Sequence, residues 1–342
     1  MRPPAFWLNP PQAPGWQARL LSPLGRLYAH ATARRLERGR SGALRGSVPV
    51  VCIGNLSAGG TGKTPTAMAL AMRLARPDRT VHIVSRGHGG RLGREGPVRV
   101  DPGRHAAADV GDEPLLLAEF APVWVAKDRA AGLRAAQADG AGLVLLDDGF
   151  QNPAIAADLS LVVVDAHVGF GNGRCIPAGP LREPVAIGLE RAGMVLTIGD
   201  EAAQARFDDR WRDAVASLPR LRGRLAPLET GMSWRGLRVV AFAGIGRPEK
   251  FFATLRGLGA NILSAQALDD HQPLTESLMA RLEAEAKLRR AQLVTTEKDA
   301  VRLPQAFRRR VLTLPVRLEV DDWAPFDTAL ATAIGKRAPT SG

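Results

Sequence analysis

Only two of the 342 residues are cysteine, one is tyrosine, and aromatic residues make up 5% of the chain. Cys52 and Cys175 lie far apart without metal-like spacing, so neither a disulfide framework nor a zinc site is implied, and a reducing compartment is favoured. Cys52 falls in an apolar run and reads as a small buried core residue. Lysine is scarce, occurring only at Lys63, Lys127, Lys250, Lys287, Lys298 and Lys336, so arginine carries nearly all of the formal charge of +12. No apolar run reaches the roughly 18 residues a spanning helix needs. The start of the chain lacks the continuous apolar stretch of a signal peptide, and no internal repeat is visible. Together these absences lead to the expectation of a cytoplasmic protein without a transmembrane span.

What is present is an ordinary globular composition, 45% hydrophobic and 23% charged, long enough for two domains. A charge of +12 calls for acidic partners: nucleic acid, anionic lipid or a phosphorylated substrate. Residues 1–46 concentrate it, with eight arginines against the single acid Glu37. Ser22-Pro23 reads as an N-cap and first helical residue, after which Leu24, Leu27, Tyr28 and Ala31 fall at helical spacing, with Arg26, His30, Arg34 and Arg38 on another face. Phe6, Trp7, Trp16, Leu20 and Leu21 lie upstream. Such a segment can lie in the headgroup plane of an anionic membrane, or pack on its own domain with solvated arginines; the residues alone leave both open.

The most informative run is Gly59-Gly60-Thr61-Gly62-Lys63-Thr64-Pro65, directly after the apolar strand Val48–Asn55. Strand, glycine turn and helix in that order make a phosphate-binding loop, in which backbone N–H groups and the helix N-terminus converge on an anion. Ser57, Ala58, Gly59, Gly60, Thr61 and Gly62 form the expected nucleotide cradle. Lys63 would reach the terminal phosphates, the Thr64 hydroxyl would hold Mg²⁺, and Pro65 suits the first helical turn. In the strict spacing the first glycine position is Ser57.

Further strands are expected at 80–87 (running into a loop), 122–126, 143–148, 159–165 and 194–198, alternating with helices that include one opening at Asp112 and an alanine-rich one over 128–139. This alternation predicts a mostly parallel sheet with helices on both faces and a site at the strands' carboxyl ends. Residues 200–219 are expected to be helical and 222–228 a connector. A second α/β pattern restarts at Leu237–Gly244, with Pro248-Glu249 opening a helix and a strand at 291–296. The expected division is a basic segment 1–46, a core with the phosphate-binding loop over 47–219 and a smaller α/β unit with linker strands over 220–342.

Asp147-Asp148 closes an apolar strand downstream of the phosphate loop, where a carboxylate can hold Mg²⁺ or its water shell; Gln151 could orient water or metal. Transfer of a phosphoryl group to a hydroxyl needs a proton acceptor, for which Asp112 and His271 are candidates. Arg86 and Arg182 sit in glycine- and proline-rich loops where each could clamp a phosphate.

In order along the chain, these motifs resemble one family, the tetraacyldisaccharide 4'-kinases of lipid A biosynthesis. The matching pieces are Gly54-Asn55 with Gly59–Pro65, Ser85-Arg86-Gly87, Gly111-Asp112-Glu113-Pro114, Asp147-Asp148-Gly149-Phe150-Gln151, and Gly171-Asn172-Gly173 with Pro177–Pro184. They continue with Ala243–Pro248 and Phe251-Phe252, Asp270-His271, and Thr295–Asp299, spanning residues 6–303. The resemblance implies transfer of the γ-phosphate of ATP, with Mg²⁺, to the 4'-hydroxyl of a tetraacyldisaccharide 1-phosphate, giving lipid IVA at the cytoplasmic face of the inner membrane. It implies two α/β/α sandwich domains joined by a short β-ribbon, the first like a P-loop NTPase, with an N-terminal amphipathic helix that dips into an anionic bilayer. It assigns Lys63 and Thr64 to ATP and Mg²⁺, and Asp147, Asp148 and Gln151 to the metal side, with Glu183 beside them. Asp112 supported by His271 would accept the proton, and Arg86 and Arg182 would contact phosphate. The chain departs from the family's usual pattern at His88, where a tyrosine is usual, and at Gln272. The rival readings are a P-loop ATPase switch of the partitioning or targeting type, which usually carries an earlier loop lysine that this chain lacks, and a nucleic-acid binder, for which no recognition motif is present. Neither nucleic acid nor an obligate protein partner is expected.

Overall fold

The computed structural model describes residues 4–337. A short 3-10 turn (Ala5–Leu8) precedes α1 (Trp16–Arg40), followed by β1 (Leu44–Arg45), β2 (Val50–Gly54), α2 (Lys63–Leu74), β3 (Val81–Ser85) and β4 (Val98–Arg99). Next come α3 (Ala107–Val110), α4 (Asp112–Leu117), β5 (Val123–Val125), α5 (Arg129–Ala138), β6 (Leu143–Asp147), β7 (Ile155–Ala156), β8 (Leu159–Asp165), α6 (Val185–Leu189), β9 (Met194–Ile198), α7 (Glu201–Val215) and β10 (Arg220–Pro227). The remainder is β11 (Arg238–Ala243), α8 (Pro248–Gly257), β12 (Asn261–Ala267), α9 (Glu276–Leu288), β13 (Gln292–Thr296), α10 (Glu297–Ala300), β14 (Val311–Leu314), β15 (Val316–Val320) and α11 (Ala324–Gly335).

Nine strands form one sheet in the order β15-β10-β9-β8-β2-β6-β3-β5-β4. Its interior pairings are parallel, and only the edge strands β4 and β15 run antiparallel to their neighbours. The central strands β2, β3 and β6 are buried at every position, which is why they read as continuous apolar runs and not as alternations. Helix α2 covers one face with Ala67, Met68, Leu70, Ala71 and Leu74. The opposite face packs under Leu133, Ala136, Phe170 and Phe207. A four-stranded, all-parallel sheet, β12-β11-β13-β14, carries its own cores beneath α8 and α9.

Residues beyond 220 contribute strands to both sheets. Residues 222–228, expected as a connector, lie in β10, which pairs with β9 on one side and β15 on the other. Its arginines mask the strand in the sequence, because they alternate outward while Leu221 and Gly223 point in. After the four-stranded sheet, β15 and α11 return to the first core, where Leu318, Phe326 and Leu330 are buried.

The start of α1 also differs from expectation. Pro23 lies inside the helix, which begins at Trp16 after Gly15. Ser22 is no N-cap: its hydroxyl donates to the Ala18 carbonyl at 2.7 Å and accepts from Arg174 Nη1 at 2.7 Å. The buried side of α1 is small over its first turns, with Ala18, Gly25 and Thr32 inward, and only Leu36 near its end is a large buried residue. At Gly25 a Cβ would stand 2.8 Å from the Cys175 carbonyl oxygen, so the helix can seat only with glycine there. Trp16, Leu20, Leu24 and Leu27 face outward, with exposures from 55% to 71%, and Arg34 and Arg38 continue that outward side instead of taking a separate face. Among the described residues no helix is long and apolar enough to cross a membrane.

Candidate active site

Three neighbouring parallel strands deliver the site. The loop between β2 and α2 rises from the carboxyl end of β2, Asp147-Asp148 from β6 and Ser85-Arg86 from β3, all at one edge of the sheet. Gly62 has φ +99° and a Cβ there would meet Ile198 Cδ1 at 2.6 Å, so this position needs glycine for both conformation and space. Lys63 opens α2. Ser57 has no such need. It is buried, bridged to Leu181, and its carbonyl accepts from Asn55 Nδ2 at 2.7 Å. Its place in the loop is set by the 177–182 segment, whose Pro180 carbonyl also accepts from Ala58 N at 2.7 Å.

Lys63 Nζ stands 3.5 Å from Asp148 Oδ1, and Arg182 Nη1 lies 3.1 Å from the same oxygen. Burial pushes the Asp148 carboxyl up, but Lys63 and then Arg182 outweigh it and hold it below its ordinary value. Asp147 responds in the opposite direction. Burial first, then Glu113 and Asp148, raise it to about 6. Its Oδ2 accepts from Ser85 Oγ at 2.9 Å, while Oδ1 is buried without a hydrogen-bond partner. Asn55 Oδ1 and Thr61 Oγ1, on the adjoining loop, are likewise buried and unpartnered. Each such atom costs roughly 1–3 kcal/mol in isolation, so three around one phosphate loop mark a place built to bind something polar.

Two of the expected metal-side residues are engaged elsewhere. Both oxygens of Glu183 accept from Arg191, at 2.7 and 2.9 Å, and Oε1 also takes Gln151 Nε2 at 3.0 Å. Gln151 further donates to the Asn55 carbonyl at 2.7 Å and accepts from Arg182 at 3.1 Å. Gln151 and Glu183 thus brace Asn55 and Arg182, and their polar atoms are spent on protein. Among the described residues no group of three or more His, Cys, Asp or Glu is gathered to hold a metal. Mg²⁺ does not need one, since it is commonly held by one or two carboxylates together with substrate phosphates. Arg86 is exposed at the end of β3, next to the cleft.

Across the cleft, Asp112 and His271 meet although 159 residues separate them: Asp112 Oδ2 lies 2.9 Å from His271 Nδ1. Asp112 opens α4 and is 4% exposed, whereas His271 sits at φ +60° on the loop after β12. Burial pushes Asp112 up, but the His271 hydrogen bond, Lys298 and Arg302 together keep it below its usual value. The hydrogen bond to Asp112 raises His271. His88 stands edge-on to His271 with ring centroids 6.1 Å apart, so this departure from the family pattern lies beside the acid–imidazole pair.

Sequence reasoning gave no role to Lys298, which lies 3.1 Å from Glu113 Oε1 and 3.4 Å from His271 Nε2. It also passed over Arg302, Arg191, and Asp165, which pairs with Arg247 and, at 3.0 Å, with Lys250. The Thr295–Asp299 motif was the only signal for any of them. Chemically, the arrangement offers an anion cradle, an unpartnered carboxylate oxygen beside it, and an ionised carboxylate facing the same cleft.

A profile of the tetraacyldisaccharide-1-P 4'-kinase family matches residues 17–335. Tetraacyldisaccharide 4'-kinase from Dinoroseobacter shibae is 63% identical over 341 residues, covering 100% of this chain and 99% of that protein. The enzymes of the same name from Jannaschia sp. and Rhodospirillum centenum are 60% and 52% identical, covering 98% and 97% of this chain and 100% and 96% of theirs. Among solved structures, the "apo" form of LpxK from Aquifex aeolicus in complex with ATP superposes with a TM-score of 0.70 at 23% identity, covering 92% of this chain and 99% of that one. That likeness supports the fold.

Proposed function

The chain belongs to the tetraacyldisaccharide-1-P 4'-kinase family of lipid A biosynthesis, and from that premise we propose how its own residues carry the phosphoryl group from ATP to the sugar hydroxyl. The loop 57–62 and the N-terminus of α2 hold the triphosphate, and Lys63 meets the terminal phosphates. The observation that carries the reading is the meeting of Asp112 with His271 next to Glu113, whose charge reaches Asp147 beside the phosphate loop. Asp112 is ionised at neutral pH and can take the proton of the 4'-hydroxyl as that oxygen attacks phosphorus, with His271 donating to the same carboxylate and fixing its orientation. Lys63 and Arg182, both now leaning on Asp148, are placed to meet the negative charge of the transferring group.

The residues fit Mg²⁺. Thr64 and Asp147 would hold it, the latter through its unpartnered Oδ1, with Asp148 beside them. The ion would supply charge neutralisation on the β- and γ-phosphates. Glu183 and Gln151 act behind this set by fixing Asn55 and Arg182, and Arg86 is a phosphate contact for the acceptor. We further read residues 238–314 as a unit inserted between β10 and β15, so that the ribbon of those strands carries it. Helix α1, with large apolar residues outward and arginines flanking them, lies on an anionic membrane surface where the acylated substrate resides.

The test is direct. With γ-labelled ATP, Mg²⁺ and tetraacyldisaccharide 1-phosphate, label should appear in the lipid. Release of labelled phosphate without lipid labelling would instead favour an ATPase switch and overturn the proposal.

A further inference from the structure

Lys298 belongs to a motif, Thr295-Thr296-Glu297-Lys298-Asp299, whose other members have visible structural work. Thr296 caps α10, and its hydroxyl donates to Asp299. Asp299 accepts from Gly244 N at 3.1 Å and pairs with Arg302, while Glu297 takes Arg317 of β15 at 2.8 and 2.9 Å. Lys298 alone points at the cleft. Its ammonium lies 3.1 Å from Glu113 Oε1, 3.4 Å from His271 Nε2 and 4.0 Å from Asp270 Oδ1.

An ammonium group has three donors and no acceptor. Its contact with His271 Nε2 is therefore a hydrogen bond only if that nitrogen carries a lone pair. The ring proton must then sit on Nδ1, the nitrogen facing Asp112 at 2.9 Å. The opposite tautomer would set N–H against ammonium on one side and a bare nitrogen against a carboxylate on the other. Resting on the reading that Asp112 accepts the hydroxyl proton, we propose that Lys298 is a positioning residue for the transfer: it fixes His271 as the Nδ1–H tautomer that orients Asp112, and through Glu113 it ties the loop bearing His271 to the helix bearing Asp112.

The charges around the ring set the direction of its titration. Asp112 raises His271 and Asp270 adds to this, whereas burial and Lys298 lower it. Glu113 and Arg302 bear on the same cluster, and His88 lies against the ring from the loop after β3. Without Lys298 the ring loses a like charge and its Nε2 donor, so it protonates more readily. An imidazolium held against Asp112 makes that carboxylate a weaker proton acceptor.

The experiment uses the full chain with ¹⁵N-labelled histidine, comparing the unaltered protein with Lys298→Met, Lys298→Arg and Asp112→Asn. Long-range ¹H–¹⁵N spectra should read His271 as Nδ1–H in the unaltered protein and in Lys298→Arg. In Lys298→Met the His271 pKa should rise by about one unit. The acid limb of kcat/KM for the lipid should move up with it, and kcat should fall about tenfold with KM for ATP within twofold. An unchanged tautomer and pKa in Lys298→Met, or a loss carried by KM for ATP, overturns the proposal. If Lys298→Met fails to fold, Lys298→Arg decides: Nε2–H in that variant or in the unaltered protein overturns it as well. Asp112→Asn separates the premise, because retained turnover there refutes proton acceptance by Asp112 whatever the spectra of His271 show.

Discussion

Asp112 and Asp147 are both nearly inaccessible carboxylates at the same cleft, and their neighbours drive them apart. Asp112 has His271, Lys298 and Arg302 around it, which keep it ionised, whereas Asp147 is raised to about 6 by burial and by the charges of Glu113 and Asp148. Separating two carboxylates in this way assigns them different tasks. Asp112→Asn should lower kcat by roughly 10²- to 10⁴-fold while leaving KM for ATP nearly unchanged, the range for losing a positioned proton acceptor; steady-state kinetics at saturating lipid measures it. Asp147→Asn should behave differently. A carboxylate raised above its unfolded value favours the folded state below the unfolded pKa, and that contribution is lost as pH rises through the folded one. Relative to the parent, the variant without ligands should therefore gain stability between about pH 4 and 6, reaching on the order of 2–3 kcal/mol at neutral pH. Melting curves from pH 4 to 8, without nucleotide or metal, would show it. Turnover should be lost in the same variant, since the carboxylate proposed above to hold Mg²⁺ becomes a neutral amide. At Gly62, alanine must adopt φ +99° and push against Ile198, so Gly62→Ala should abolish ATP binding and cost about 1–3 kcal/mol of stability by calorimetry.

At the scale of elements, the strands that were legible are those in which most positions are buried. Residues 159–165 and 194–198 of the central sheet coincide with β8 and β9, and Asp112 does open α4, because an unbroken apolar run between turn residues has few other solutions. Legibility fell where an element obeys its partner more than its own pattern. Strand β10 has three arginines in eight residues and is held by ladders on both sides, and α1 runs straight through Ser22-Pro23, where an N-cap and first helical residue were expected. The phosphate loop and Asp147-Asp148 could be read locally. The engagement of Glu183 by Arg191 could not, since nothing in the spacing of those residues indicates that both carboxylate oxygens are taken. Over residues 16–32, helix α1 turns the usual amphipathic logic outward, with small residues in and large apolar ones out. The double change Leu20→Glu and Leu27→Glu should therefore cost little stability, because both side chains are already more than half exposed. Sedimentation with vesicles containing anionic phospholipid should nevertheless show association falling at least tenfold, since two apolar contacts are replaced by charges repelled by the surface.

In the whole molecule, the parallel strands of both sheets turn their carboxyl ends towards each other, and charged pairs join them on two sides. On one side stand Asp112 with His271 and Glu113 with Lys298; on the other, Asp165 at the end of β8 takes Arg247 and Lys250, which flank the start of α8. The first cluster contains the groups assigned to proton transfer, so the four-stranded sheet contributes to the chemistry only while it is held at the cleft. The second cluster has no chemical role in this scheme, which makes it the cleaner probe of that dependence. Asp165→Asn leaves Arg247 and Lys250 facing each other with only the more distant Asp200 to offset them, and like charges in contact repel. Neither hydrophobic core is touched, so the melting temperature should change little. Hydrogen exchange should quicken in the first turn of α8 and in the loop bearing His271, and kcat for lipid phosphorylation should fall several-fold. Ordinary ATP affinity should persist, because the phosphate loop belongs wholly to the nine-stranded sheet. Slow exchange at α8 with undiminished turnover would mean that the ribbon of β10 and β15, helped by the Glu297–Arg317 pair, is sufficient to hold the four-stranded sheet in place.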